Sequence, residues 1–519
     1  MIEPGALLDG PATAAPLKRG AAVAVAPPLP VRLLRLLAPT LLVALLAACA
    51  AWVTRGALID DAYITLTYAR NLAEHGTWGL LSDVPSATAT SPLWVLVLAG
   101  LTSLTADPFT ALALAHVGVS AGLVPVLSAL ARRTHLPVWT GPAAAAAVVV
   151  QPLLLSVTGM ESGLLVLLLA AATLAGAAGR PVLFGLLAGA VFLTRMDAGP
   201  TLVLLALLSP PVLRRLHLAV LPALAVALSW MSWSWYALGT AIPDTFLIKT
   251  QQGSFGPWTV GNGWGWYREL YGTVAVVAFA PMLLAALALV VLVALLRRRS
   301  GPGVPRTLPW LALTAAGAGH WLTLVVLGVP PYHWYFAPVL GLGTVGAVAA
   351  TAALVARRAR LRVVVAALLL VQIGASLVVD AARHQPWRVM PIQTNYATSA
   401  RYEVMGADLA AELRGRRVMT FGEIGHLAYV CDCVVDGFAD PARVVPGIRK
   451  ALADADGAGR WLLELNYRHR DLGAAEVPVA GSLRLLKPHE VPAGSSFWHM
   501  DLYPWRRYVA LVLDPPEPA

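Results

Sequence analysis

Apolar runs recur from Val31 to Asp380, and that repetition constrains the fold more than any single motif. The first run, Val31 to Thr54, would extend about 36 Å as a helix at ~1.5 Å per residue, enough to cross a bilayer. Further runs lie near 107–131, 138–157, 162–178, 180–194, 199–212, 217–238, 272–296, 307–329, 335–356 and 362–380. With the first they make eleven expected spans. Only 13% of residues are charged and 58% are hydrophobic, with a mean hydropathy of +0.69, so the chain reads as a polytopic α-helical membrane protein.

The net charge of +10 invites a nucleic-acid reading, but the basic residues form no single face. They gather instead in loops on one side of the expected spans, as at Arg132–Arg133, Arg214–Arg215, Arg297–Arg299 and Arg357–Arg358. The other side holds only Arg55, Arg70, Arg195, Lys249 and Arg268. Positive charge marks the inside, so the amino terminus is expected inside and the carboxyl terminus outside, with no nucleic-acid partner. Residues 1–30, rich in Ala, Pro and Gly, read as a disordered cytoplasmic tail. This topology requires that residues 91–106 do not cross. Ser91 as N-cap and Pro92 at the first helical position predict an interfacial or re-entrant helix over 92–105.

Just after the first span come Asp60 and Asp61, heading the run DDAYITLTYARNLAEHG that ends at Gly76. Adjacent carboxylates at the mouth of a span are costly near lipid and mark a candidate site. Asp60 is placed as an N-cap, Asp61 in the first turn and Gly76 as the helix stop. Ile64, Tyr68 and Leu72 recur at four-residue steps, predicting an interfacial helix over 60–75 with one greasy face.

Beyond Asp380 the composition turns polar and no later run is long enough to span, so residues 381–519 are expected to form an extracytoplasmic α/β domain. Strands are expected at Arg417–Phe421, Cys433–Val435, Trp461–Leu465, Leu483–Leu486 and Tyr508–Leu513, and helices at Tyr402–Leu413 and Arg443–Leu452. Cys431 and Cys433 offer too few ligands for a metal and read as isolated thiols.

With this topology Asp60, Asp61, Asp107, Glu161, Arg195, Asp197, Asp244, Lys249, His333 and Tyr335 all fall at outer ends or outer loops, which predicts an outward polar cavity. Each alone also fits a helix cap, a snorkelling end or a solvated charge. The loop 239–272 adds Trp258, Trp264, Trp266, Tyr267 and Tyr271, suited to stacking on sugar faces or to an interfacial belt. PPYHWYFAP, residues 330–338, breaks helicity at an outer end, as a cavity wall or an ordinary loop would.

In order, DDAYITLTYARNLAEHG with TSPLWVLVLAG, TGMES, LTRMDAG and PDTFLIK resemble the outer-face motifs of the actinobacterial terminal β-(1→2) arabinofuranosyltransferases, polyprenyl-phosphate-sugar-dependent enzymes of the GT-C fold. The likeness covers roughly residues 31–380, with a weaker echo at TFGEIGHLAYVCDCVVDGFADP. It departs at ATATSPLW, where relatives carry an acidic residue and an aromatic before the SPLW.

The resemblance implies a GT-C glycosyltransferase in the plasma membrane. It would move arabinofuranose, with inversion, from decaprenyl phosphate to a cell-envelope glycan on the outer face. Such transfer needs a base for the acceptor hydroxyl and cations for the leaving phosphate. Asp60 and Asp61 cannot point the same way, so distinct roles are expected; the resemblance tilts the base toward Asp60, with Asp61 orienting it or helping to bind acceptor or metal. Lys249, Arg195 and a protonated His333 are candidates for the donor phosphate, and Glu161, Asp197, Tyr63 and Trp264 for substrate contacts. Arg195 with Asp197 equally fits a structural ion pair, and Glu161 a helix-dipole partner. No cofactor is demanded, and a divalent cation is left open. A lipid-sugar flippase and an inactive scaffold of envelope synthesis are the rival readings.

Overall fold

A computed structural model describes residues 29–250, 255–297, 306–355, 359–420, 422–502 and 510–514. Residues 1–28 of the expected tail, Arg298, Arg299, Arg357, Arg358, Phe421 and Tyr508 lie outside them. The chain opens with α1 (Leu29–Thr54), which packs along α4 and leaves Leu41, Leu42 and Leu45 exposed on its outer side. Then come α2 (Asp60–His75) and α3 (Pro92–Thr105), followed by α4 (Pro108–Arg133), α5 (Thr140–Val149), α6 (Pro152–Ser156), α7 (Ser162–Ala177) and α8 (Pro181–Thr194). The chain continues through α9 (Gly199–Leu207), α10 (Pro210–Leu213), α11 (Leu216–Ala237), α12 (Thr245–Thr250), α13 (Gly263–Tyr271), α14 (Thr273–Arg297), α15 (Leu308–Val326), α16 (Ala337–Val355) and α17 (Ala359–Ala381).

Among the described residues six helices are long and apolar enough to cross a membrane. Of the other expected spans, 162–178 and 180–194 are short helices, 362–380 lies within α17, and two are interrupted. The run 138–157 divides into α5 and α6 at Gln151, where Pro152 cannot continue the hydrogen-bond ladder, and 199–212 divides likewise before Pro210. Small residues let helices in the bundle touch closely: a Cβ on Gly185 of α8 would lie 2.1 Å from the Ala219 carbonyl oxygen of α11.

The C-terminal domain, expected to be the outer one, carries α18 (Ser399–Leu413), β1 (Val418–Met419), α19 (Gly425–Cys431), β2 (Val434–Val435), α20 (Val445–Asp454), α21 (Gly457–Asn466), β3 (Ser482–Leu486), β4 (Phe497–His499) and β5 (Ala510–Asp514). Its mixed sheet has the order β2-β1-β3-β5-β4, parallel where β1 meets β2 and β3, antiparallel around β5. Two expectations fail here. Trp461–Leu465 is helix α21, because a short apolar run does not reveal its period and the Arg460–Glu464 pair favours a helix. Cys431 and Cys433 are joined in a disulfide, with Cα atoms 5.0 Å apart, where isolated thiols were expected.

Helix α2 begins and ends at the expected residues, but its surroundings differ. Gly76 adopts φ 69° and its N–H bonds to the Leu72 carbonyl, a left-handed cap that glycine makes at no steric cost. The greasy face does not meet lipid. Tyr68 is fully buried, bonded to the hydroxyls of Ser86 and Thr88 at 2.6 and 2.7 Å, and joins Ile64 and Leu72 in the core of the outer domain. On the opposite side Tyr63, Leu66 and Ala69 belong to the core that caps the membrane bundle. The helix is a shared layer between the two units.

Candidate active site

Asp60 and Asp61 leave α2 in different directions. The Asp60 carboxylate does not cap its own helix; it accepts the N–H groups of Gly425 at 3.0 Å and His426 at 2.8 Å, at the start of α19. Its own N–H donates to Asn395 Oδ1 at 3.1 Å, and Asn395 in turn holds the Leu58 carbonyl. A side chain at Gly425 would lie 2.0 Å from the Asp60 carbonyl oxygen, so only glycine permits this approach. Burial raises the Asp60 pKa to about 7, against the opposing pull of the two N–H donors.

Tyr63 serves the same contact. Its ring lies 3.5 Å from that of His426, which also stacks on Tyr402 at 4.9 Å, and burial keeps the imidazole well below its ordinary pKa. Nearby Glu423 accepts hydrogen bonds from the Tyr402 hydroxyl and the Tyr396 N–H, and burial pushes its carboxyl well up. Asp60 and Tyr63, expected at the substrate, thus join the outer domain to the bundle. Glu423 and His426 were visible in the sequence only as part of the echo TFGEIGHLAYV.

Asp61 faces a cavity of about 470 Å³ whose wall includes Glu161, Arg195, Asp197, Lys249, Tyr335, Trp334 and Trp258. Residues brought together from α2, the start of α7, the end of α8, α12 and the turn at 333–336 make up this site. The Lys249 ammonium sits 3.9 Å from Asp61 Oδ2 and 5.4–5.6 Å from the rings of Tyr332, Trp334 and Tyr335. Burial would lower the Lys249 pKa, but Tyr335 and Asp61 outweigh it and keep the ammonium charged. Burial raises the Asp61 carboxyl above its ordinary value, while Lys249 draws it down.

Arg195 is committed to two carboxylates. It meets Asp197 through both Nε (2.9 Å) and Nη2 (2.5 Å) and reaches Glu161 at 3.1 Å through Nη1. This is the structural-pair reading of the two offered by the sequence, although all three side chains also line the cavity.

Other expected members are elsewhere. His333 is fully buried and its imidazole does not line the cavity, so it supplies no cation there. Trp264 stands 47% exposed, with the Arg268 guanidinium 5.5 Å from its ring. Of the aromatics in 239–272, Phe246, Phe255 and Trp258 line the cavity. Asp107 caps α4 by accepting from Phe109 and Thr110, and Asp244 pairs with Arg470 of the outer domain. Among the described residues no three His, Cys, Asp or Glu side chains converge to hold a metal ion. A carboxylate facing an ammonium is a poor oxygen cage for a divalent cation.

The apo crystal structure of the Archaeoglobus fulgidus oligosaccharyltransferase aligns with 87% of this chain and 69% of its own, at a TM-score of 0.54 and 10% identity. A structure of the archaeal oligosaccharyltransferase AglB from the same organism, in complex with an inhibitory peptide and a dolichol-phosphate, aligns over the same shares at 0.52 and 11%. This chain shares its fold with that membrane protein over most of its length. At these identities the likeness is one of fold. No family model matches the chain, and no curated protein matches it in sequence.

Proposed function

We propose that this GT-C protein is a membrane glycosyltransferase that moves a sugar, arabinofuranose by the resemblance of its motifs, from a polyprenyl phosphate to a cell-envelope glycan. The observation that carries the proposal is the carboxylate of Asp61 facing the ammonium of Lys249 inside one cavity. Asp61 takes the proton of the acceptor hydroxyl as that oxygen bonds to the anomeric carbon. The bond from that carbon to the phosphate oxygen breaks, and Lys249 balances the charge left on the phosphate. Attack opposite the leaving group inverts the centre. The raised pKa of Asp61 brings its basicity closer to the working pH.

Asp61, not Asp60, therefore takes the role of base, and Asp60 positions it by fixing the first turn of α2 against α19. The aromatic rings of Trp258 and Trp334 suit the face of a sugar. The dolichol-phosphate in the AglB complex supports a lipid-linked donor. The Cys431–Cys433 disulfide and the distribution of Arg support an extracytoplasmic domain at the plasma membrane.

The test is transfer by the solubilised full chain, offered decaprenyl-phosphoryl arabinose or its mannose counterpart with short arabinan and mannan acceptors. Transfer from one donor, abolished in Asp61→Asn, is the expected result and identifies the sugar. Specific donor binding without transfer from either would replace this reading with a flippase or a scaffold.

A further inference from the structure

Helix α21 has no buried residue, although four of its side chains are large and apolar, and three of these are exposed. Trp461 and Leu462 are 61% and 57% exposed, and Leu465 is 38% exposed. At ~100° per residue these three share one arc of about 100°. The adjoining arc carries Arg460 and Glu464, paired at 2.8 Å, and the far side turns Leu463 onto the small core around Ile448 and Tyr467. One arc is thus spent on the domain and one on water. The apolar arc is left over.

The neighbouring structure says what covers it. Trp235, in the last turn of the lipid-exposed span α11, donates its indole N–H to the Leu465 carbonyl at 2.8 Å. Asn466 Oδ1 accepts the N–H groups of Ala241 and Ile242, just beyond that span. Along α11 the exposed surface runs through Leu221, Leu224 and Leu228 to Trp233 and Tyr236, the aromatic pair expected where a helix leaves the hydrocarbon. Trp461 stands four residues, about 6 Å along the helix, from the residue bonded to Trp235. The apolar arc of α21 therefore continues the lipid-facing surface of α11 at the level of its aromatic end.

We propose that α21 is an interfacial helix that rests in the outer leaflet, with Trp461, Leu462 and Leu465 among the lipids, and anchors the outer domain to the bilayer. The anchor bears on the cavity through one short path. Leu463 packs on the small core of Val444, Ile448 and Tyr467, on which Leu247 and Ile248 of α12 also pack, and the next residue of α12 is Lys249. Lipid contact at α21 thus helps hold the helix that presents the cavity's ammonium.

Spin labels on the full chain in phosphatidylcholine–phosphatidylglycerol vesicles test this, in a Cys49→Ser background with the disulfide kept oxidised. Labels are placed at Trp461→Cys, Leu465→Cys and Glu464→Cys, with Leu462→Cys as a second site on the stripe should one of the others fail to fold. Labels at 461, 462 and 465 are expected to collide more with oxygen than with a water-soluble nickel chelate, and the label at 464 to show the reverse. Equal access of the chelate to all four positions would place the helix in water and overturn the proposal. Loss of access to both relaxers at 461 and 465 would show a protein partner, such as a second copy, and overturn it equally.

Discussion

Two neighbouring carboxylates on one helix turn live in opposite surroundings. Asp60 is enclosed by the backbone of the C-terminal domain and is not among the residues that line the cavity; Asp61 borders the cavity with the Lys249 ammonium 3.9 Å away. Rigid N–H donors satisfy the first and leave it no freedom to exchange partners. The second has a partner that a phosphate can draw away, which leaves the carboxylate free to accept a proton. On the proposed reading, adjacency in sequence separates positioning from chemistry.

The contrast breaks first if Asp61 can be neutralised without consequence. Asp61→Asn is expected to lower transfer by ~10²–10⁴-fold, measured as turnover with the lipid donor, while leaving thermal unfolding nearly unchanged. Lys249→Met should cost ~10²–10³-fold in turnover, since the leaving phosphate loses its cation. Donor analogues lacking the phosphate should bind both forms equally in equilibrium titration.

Arg195→Met makes a different point. It leaves Glu161 and Asp197 facing one another without their shared cation, and a loss of ~3–5 kcal/mol in unfolding free energy is expected from denaturant titration. Asp60→Asn removes one of two acceptors for the α19 N–H groups and should cost ~1–3 kcal/mol in the docking of the outer domain. Limited proteolysis between the domains would report it. If instead Asp60→Asn abolished transfer in a fully docked enzyme, the roles given to the two residues would have to be exchanged.

The most gradual effect is on pH. Asp60 and Glu423 hold their protons more tightly folded than unfolded, because burial raises both pKa values. Stability from Asp60 is therefore present below the unfolded value near 3.8 and is lost as pH rises through about 7. The slope from that single group is at most ~1.4 kcal/mol per pH unit. Melting curves from pH 4 to 8 should show it, and Asp60→Asn should flatten it.

How much of this could be read beforehand follows the range of the forces involved. The bounds of α2 and α3 were legible because Gly76, Pro92 and the apolar steps between act within a few residues. The identity of Trp461–Leu465 was not, since five apolar-rich residues suit a strand or a helix until neighbours choose. His333 looked available as a cation because an outer-loop position says nothing about burial. The four-residue step of Ile64, Tyr68 and Leu72 correctly announced an apolar face; only the docked domain revealed that protein, not lipid, covers it.

By itself the sequence determined that this is a multi-span membrane protein with a more polar C-terminal part, since hydropathy is a local property summed along the chain. It also determined that acidic and basic residues of several segments belong to one end of the bundle. Tertiary structure decided which of them meet. Residues 60 and 61 are ~100° apart around a helix, so a single rotation set by packing against α19 turns one to the domain and the other to Lys249. No local pattern encodes that rotation, because the surfaces that fix it lie more than three hundred residues away in the chain.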